Sequence, residues 1–344
     1  MNKHITKIIK FIKDPLLLGY WESKSDYYLS RRKKDNQLSV HISGHNKRRV
    51  SSYYGDSHML IEDMYLGIMP FMHSRGERDK YPSKIEPSTT NLEHMISGGL
   101  SNKGYRTFMG DAITDFVRTA SHVLFQDGVA FYEIIPTNKE DGSLESFQIE
   151  LLQPFYIYRF FNNYYQFIDW REAKETHTRV RLIKIPKERI LKISIPKKIT
   201  NRRTLKSILE RMYKLSREII PDFQMKAMSE DTDIGFDSNE YINSKYIEIA
   251  TLTRMLGWNQ RQLSTNHTTE YYSIVRFLRT KKAQALVREE VMRKLNEALN
   301  GSVLNLGVSV SIENLFTVKD VETLEENLKR GDIEFMSIFN ATNI

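Results

Sequence analysis

The chain has 344 residues, 40% of them hydrophobic and 27% charged, and 51 Lys and Arg outnumber 43 Asp and Glu for a formal charge of +8. These proportions suit a soluble globular protein of two or three packed units and exclude wholesale disorder. The lack of cysteine excludes disulfides, a thiolate nucleophile and Cys-based zinc or iron–sulfur sites, and fits an intracellular setting.

Residues 1–13 place Ile5, Ile8, Ile9 and Ile12 at helical spacing with lysines opposite, which reads as a packing helix ended by Pro15 rather than one lying on a membrane. No signal-peptide pattern follows, and no apolar run approaches the roughly 18 residues of a spanning helix, so neither secretion nor membrane insertion is expected. Residues 24–37 are charged, and the cluster Arg31, Arg32, Lys33, Lys34 reads as a solvated helix end rather than a phosphate contact or localisation signal. With a strand at 38–42, this part forms a peripheral arm.

A short apolar helix is expected at 58–72 and a loop at 81–90, where Pro82 and Pro87 lie. From about Tyr105, Phe108, Ala112, Ile113, Phe116, Val117, Ala120 and Leu124 keep the spacing of one buried helical face. That helix stops at Gln126-Asp127-Gly128. Strands follow at 129–135, 147–152, 156–161, 164–170, 179–185 and 190–195, with turns at 138–142 and Asn162-Asn163, so an antiparallel β unit is expected. The aromatic residues at 155–170 read as sheet packing before base stacking.

From residue 201 the helical period returns. Leu205, Ile208, Leu209, Met212, Leu215 and Ile219 form one stripe, and Arg202, Arg203, Lys206, Arg211, Lys214 and Arg217 cover the rest. Pro221 closes the helix, and the polar connector 222–237 lacks the terminal Glu of a calcium loop. A helix at 240–256, a polar break at 257–268 (GWNQRQLSTNHT), a long helix at 269–300, a strand at 308–312 and a helix at 318–330 complete an α+β chain.

No phosphate-binding loop, GxGxxG or GxSxG pattern occurs. His41 and His45 lie four apart beside Gly44 in strand-like sequence, where the spacing does not join two imidazoles on one metal. Glu145 with Glu150 and Asp169 with Glu172 flank strands and are the acidic pairs a metal-dependent nuclease would use. Such pairs are common on solvated sheets, and that reading is preferred to catalysis. No catalytic residue, metal or cofactor is assigned.

The order of elements resembles the portal proteins of tailed bacteriophages of the HK97-like type. The family's helix followed by a "DG-apolar-aromatic-E" strand is similar to 125–135 (FQDGVAFYEII), its "L-x-P" strand to 152–158 (LQPFYIY), and its "P-x-E-x-I-L-x-I" strand to 186–193 (PKERILKI). Lys197-Lys198-Ile199-Thr200 stands where the family has "G-x-S-P", and the connector is short. The resemblance implies a portal-like fold: an α/β wing over 1–200, two stem helices over 201–256 with a clip at about 222–238, a tunnel loop at 257–268, and a long helix with a crown segment over 269–344.

It further implies a non-enzymatic subunit of a ring, typically of about twelve copies, that closes by rotation around double-stranded DNA. The implied partners are other copies of the chain, the major capsid protein, a separate ATP-driven terminase motor and a head–tail adaptor, with no membrane. The implied location is the capsid vertex of the virion, after assembly in the host cytoplasm. On the loop, Trp258, Asn259, Gln260, Arg261, Gln262, Asn266 and His267 are the candidate DNA contacts, although a Trp beside Gly257 is as apt to pack behind the loop. A small basic nucleic-acid-binding protein using the 201–217 helix, and a metal-dependent nuclease, are the alternatives.

Overall fold

The computed structural model describes residues 27–29, 36–39, 42–44, 55–69, 83–101, 109–167, 182–217, 238–258, 269–335 and 337–338. Among these, the helices are α1 (Gly55–Leu66), α2 (Thr90–Leu100), α3 (Met109–Asp127), α4 (Arg202–Arg217), α5 (Ser238–Leu252), α6 (Glu270–Leu299) and α7 (Val318–Arg330). The strands are β1 (Tyr27–Leu29), β2 (Ile42–Gly44), β3 (Ser83–Glu86), β4 (Val129–Asn138), β5 (Leu144–Leu152), β6 (Ile157–Phe160), β7 (Asn163–Phe167), β8 (Leu182–Pro186), β9 (Ile190–Ser194) and β10 (Ser309–Ile312). The class is α+β, and every strand pair is antiparallel.

The expected β unit divides into two three-stranded sheets, ordered β5-β4-β9 and β6-β7-β8. Val129, Phe131 and Leu152 of the first bury against Ile157, Tyr164 and Ile185 of the second. The opposite face of β4 carries Ala130, Tyr132 and Ile134 into the main core with α3, α4 and α6. Burial on both faces explains why β4 reads as a continuous apolar run rather than an alternation. The 155–170 aromatics split: Tyr156 and Tyr164 are buried, whereas Phe160 and Phe161 at the β6–β7 turn are 59% and 82% exposed.

The strand expected at 38–42 is found instead at Ile42–Gly44, paired with Tyr27–Leu29 inside the charged stretch read as a solvated helix end, and Leu38 and Ser39 are outside it. Two further elements depart from the sequence reading. The 81–90 loop contains β3, which pairs with β10 through Ile85 and Val310, more than two hundred residues apart in sequence. Its prolines sit outside the paired residues, where a missing N–H breaks no ladder bond. Helix α2 was not expected, because Gly98-Gly99 lowers its helical propensity. Gly99 is there for contact: a β-carbon would lie 2.3 Å from the Phe147 ring. The available signal was Thr89, whose hydroxyl accepts from the Leu92 amide at 3.3 Å, followed by Leu92, Met95 and Ile96 on one face.

Part of the amino-terminal arm is held by a buried carboxylate. Glu133, fully buried on β4, accepts from the Leu38 and Ser39 amides at 2.8 and 2.9 Å, and Arg189 lies 3.4 Å away. Arg189 donates through Nε to the Ile134 carbonyl at 3.1 Å and through Nη2 to that of Asn36 at 2.5 Å. The contacts to 36–39 are largely to backbone, so the arm is held by its main chain more than by its side chains.

Helix α6 has 30 residues, about 45 Å at 1.5 Å per residue, and spans the core. At its end Asn296 and Asn300 each exchange two hydrogen bonds with the backbone of Val310 and Val308, fixing β10 against the helix. Helix α7 packs on the first half of α6 through Val321 and Leu328 against Ile274 and Leu278. Thr317 and Asp320 form its capping box, and backbone and hydroxyl bonds from Thr317 hold the Asp320 carboxyl below its ordinary value. Because the folded-state value is depressed, that stabilisation is present above about pH 3.8 and lost as pH falls through the folded-state value. Amide exchange at the α7 amino terminus is expected to accelerate there, and Thr317→Ala to produce the same fraying at neutral pH. No helix among the described residues is long and apolar enough to cross a membrane.

Candidate functional site at the base of the 259–268 segment

Helices α4 and α5 flank the polar connector, and α4 buries the stripe expected of it, Leu205, Ile208, Leu209, Met212 and Leu215. Arg211 donates to Glu248 of α5 at 2.6 Å, an exposed pair that contributes little by itself. The stronger tie is Asp56 of α1. It accepts from the Ser216 hydroxyl of α4 at 3.0 Å and lies 3.2 Å from Lys245 of α5, so one carboxylate joins three helices. Arg202 donates to the Asp127 carbonyl at 3.1 Å. Arg203, Lys206 and Lys214 are exposed on the outer face of α4, with Glu210 among them.

After α5 the backbone turns at Gly257, with φ +74°, and crosses α6 so closely that a β-carbon would lie 2.1 Å from the Arg276 carbonyl oxygen. Only glycine fits both the dihedral and the contact. Trp258 follows, 3% exposed, its indole N–H donating to Asp63 of α1 at 2.7 Å.

Arg276 is 1% exposed and serves as the clamp. It donates to the Ala250 carbonyl at 2.9 Å, the Thr253 hydroxyl at 2.9 Å, the Tyr272 hydroxyl at 3.2 Å and the Trp258 carbonyl. Thr280 adds a bond to the Leu256 carbonyl at 3.1 Å. The Ala250 carbonyl belongs to the last turn of α5, where C=O groups lack helical partners, and Arg276 supplies its donor. Leu256 and Trp258 follow the helix, and the Trp258 carbonyl also accepts from the Thr253 hydroxyl at 3.3 Å.

The other end of the segment is equally fixed. Thr269 caps α6, its hydroxyl accepting from the Tyr272 amide at 3.2 Å. Residues 259–268 therefore leave from, and return to, anchors on the first turns of one long helix. Further along α6, Gln284 donates to the Asp63 carbonyl at 3.1 Å and Arg288 to that of Ile68 at 2.9 Å. Burial lowers the Arg288 guanidinium to about 10, opposed by Glu289. Burial, then the charge of Arg288, lowers Lys281 as well.

Of the seven loop residues singled out from sequence, Trp258 alone is described, and it anchors the segment: a buried indole presents no face to a ligand. Asn259, Gln260, Arg261, Gln262, Asn266 and His267 lie outside the described residues. Glu145 and Glu150 both lie on β5, five residues apart and so on opposite faces of the strand, where they do not share an ion. His41, His45, Asp169 and Glu172 lie outside the described residues. No group of three or more potential metal ligands occurs among those described.

Sequence reasoning missed Asp56, Asp63, Thr253 and Arg276, which build the site. One signal was present: Tyr272 and Arg276 stand four apart on a helix, the spacing of an aromatic–guanidinium pair, and the guanidinium lies 5.6 Å from the ring centroid. No protein-family model matches the chain, and no curated protein sequence matches it.

Proposed function

We propose that the chain is a subunit of a portal-like ring, assembled from about twelve copies at a capsid vertex, through which double-stranded DNA passes during packaging and ejection. The observation that carries this reading is the clamp at Gly257, Trp258 and Arg276, which presents a ten-residue polar segment between a helix pair and a 30-residue helix. A loop that grips a moving polyanion without reading its sequence needs a rigid base and polar or cationic tips. Asn259, Gln260, Arg261, Gln262, Asn266 and His267 supply such tips, with phosphate contacts that weaken as salt rises.

In this reading α4 and α5 are the stem, the 222–237 connector is the clip, and the sheets form the wing. In this reading the subunit needs no catalytic group, cofactor or membrane partner of its own. The terminase motor supplies the work, and the capsid protein and head–tail adaptor bind the outer surfaces.

The test is particle size. With a 40.5 kDa chain, native mass measurement is expected to give roughly half a megadalton. Negative-stain top views should show a centred channel. A species of one or two chains would overturn the proposal and favour the second reading, a small basic DNA-binding protein, which the exposed Arg203, Lys206 and Lys214 on α4 support.

A further inference from the structure

A second cationic cluster lies at the opposite end of α6. Lys294 is 24 residues beyond Glu270, about 36 Å along the helix axis from the 259–268 segment. There α6, β9 and the second sheet enclose a cleft of about 330 Å³, lined among others by Tyr164, Lys187, Glu188, Lys192, Lys294 and Glu297.

Three lysines, Lys187, Lys192 and Lys294, line the cleft, and Arg159 and Arg202 lie beside it, close enough to act on Lys192. Lys192 stands opposite Phe131 in the β4–β9 register, its ammonium 6.0 Å from the ring centroid. Phe131 meets Tyr164 edge to face at 5.8 Å, and Tyr164 is the register partner of Arg159 on β6. Arg202, at the start of α4, packs its side chain against Gly128 just before β4. Of the two acids in the cleft, Glu297 is engaged by Lys294 at 2.6 Å and by Arg293. Glu188 is exposed beside Lys187.

The consequence is like-charge crowding. Burial, then the charges of Arg159, Arg202 and Lys294, lower the Lys192 ammonium below its ordinary value, and the described groups acting on it are all cations. A packing lysine on a sheet gains nothing from three cationic neighbours. The same arrangement becomes favourable once a multivalent anion bridges them, because each ammonium and guanidinium then makes a charge-assisted hydrogen bond.

We propose that the cleft between β9 and the carboxy-terminal end of α6 binds a chain of phosphoryl groups, held by Lys192 and Lys294 and flanked by Arg159 and Arg202. A single carboxylate would answer one or two of these cations. Consecutive phosphoryl groups answer the cleft lysines together, beside the flanking guanidiniums, whether they come from a nucleic-acid backbone or from a free oligophosphate. The proposal does not depend on the ring reading, since it concerns a different end of α6.

The test is calorimetric titration of the intact protein with tripolyphosphate at low salt, repeated with Lys192→Gln and Lys192→Glu. Saturable binding is expected, weakened several-fold by the first and at least about tenfold by the second, as loss of a charged hydrogen bond implies. Lys329→Ala, exposed on α7 against the first half of α6, should leave the affinity unchanged. Without ligand, Lys192→Gln should melt at the same temperature as the parent or higher, because crowding is relieved, whereas a lysine placed for packing would lose stability.

Competition then separates the sources. A 20-base-pair duplex that displaces tripolyphosphate assigns the cleft to a nucleic-acid backbone, and one that does not assigns it to a free oligophosphate. No binding of tripolyphosphate by the parent protein, or equal affinity in Lys192→Glu, would overturn the proposal.

Discussion

Gly257→Ala is expected to destabilise the protein by about 3 kcal/mol and to release the 259–268 segment from its base. An alanine in the left-handed region costs roughly 1–2 kcal/mol. The remainder comes from the new β-carbon, which would meet the Arg276 carbonyl oxygen at 2.1 Å, a backbone atom that moves only if α6 moves. Relief by shifting the turn would draw the Trp258 and Leu256 carbonyls away from Arg276 and Thr280.

At about 2–4 °C per kcal/mol for a chain of this size class, the melting temperature should fall by about 6–12 °C. Trp258 is one of three tryptophans, so its hydration should shift part of the emission to the red. Arg276→Leu tests the same base from the other side. It leaves the Ala250 carbonyl and the Thr253 hydroxyl oxygen without this donor and the Trp258 carbonyl with the 3.3 Å bond from Thr253, at about 1–3 kcal/mol for each group left unsatisfied. Unchanged melting and emission in both variants would show that the segment is not anchored here.

Glu133→Ala is the second change expected to have a large effect. Its carboxylate is fully buried, accepts two consecutive amides and faces Arg189, so its removal strands two donors and a cation. Breaking a buried ionic contact of this kind costs about 3–5 kcal/mol when the structure cannot relax.

Here relaxation has an obvious route: residues 36–39 can leave β4 and take their amides into water. The measured loss is then the docking energy of the arm, and the diagnostic readout is limited proteolysis, with new cleavage expected at 36–39. Glu133→Gln should fall between, because one amide oxygen replaces two carboxylate oxygens while its NH2 group faces donors. A variant that melts and resists protease like the parent would show that other contacts hold the arm.

The helices were legible where burial is one-sided. α4 alternates an apolar stripe with Arg and Lys, and α7 carries its own stop and start signals in Thr317, Asp320 and Gly331. β4 was legible because Gly128 ends α3 and β-branched and aromatic residues follow. α2 was not, since Gly98-Gly99 suppresses the local signal and the reason for Gly99, the Phe147 ring, lies about fifty residues away. β3 failed for a related cause: a strand of four residues between prolines gains its partner among the described residues from β10.

For the candidate site, the sequence by itself determined the position of a polar break between two helices, the caps around it and the surplus of positive charge, because these follow from local periodicity and from residue types that stop helices. Only the tertiary structure decided that Trp258 faces inward, that Arg276 ties α5 to α6, and that α1, some two hundred residues upstream, supplies Asp56 and Asp63 to hold both the helix pair and the base of the segment. Those contacts depend on which faces meet in three dimensions. A buried arginine or aspartate has the same one-letter context as a solvated one until the acceptors around it are in place.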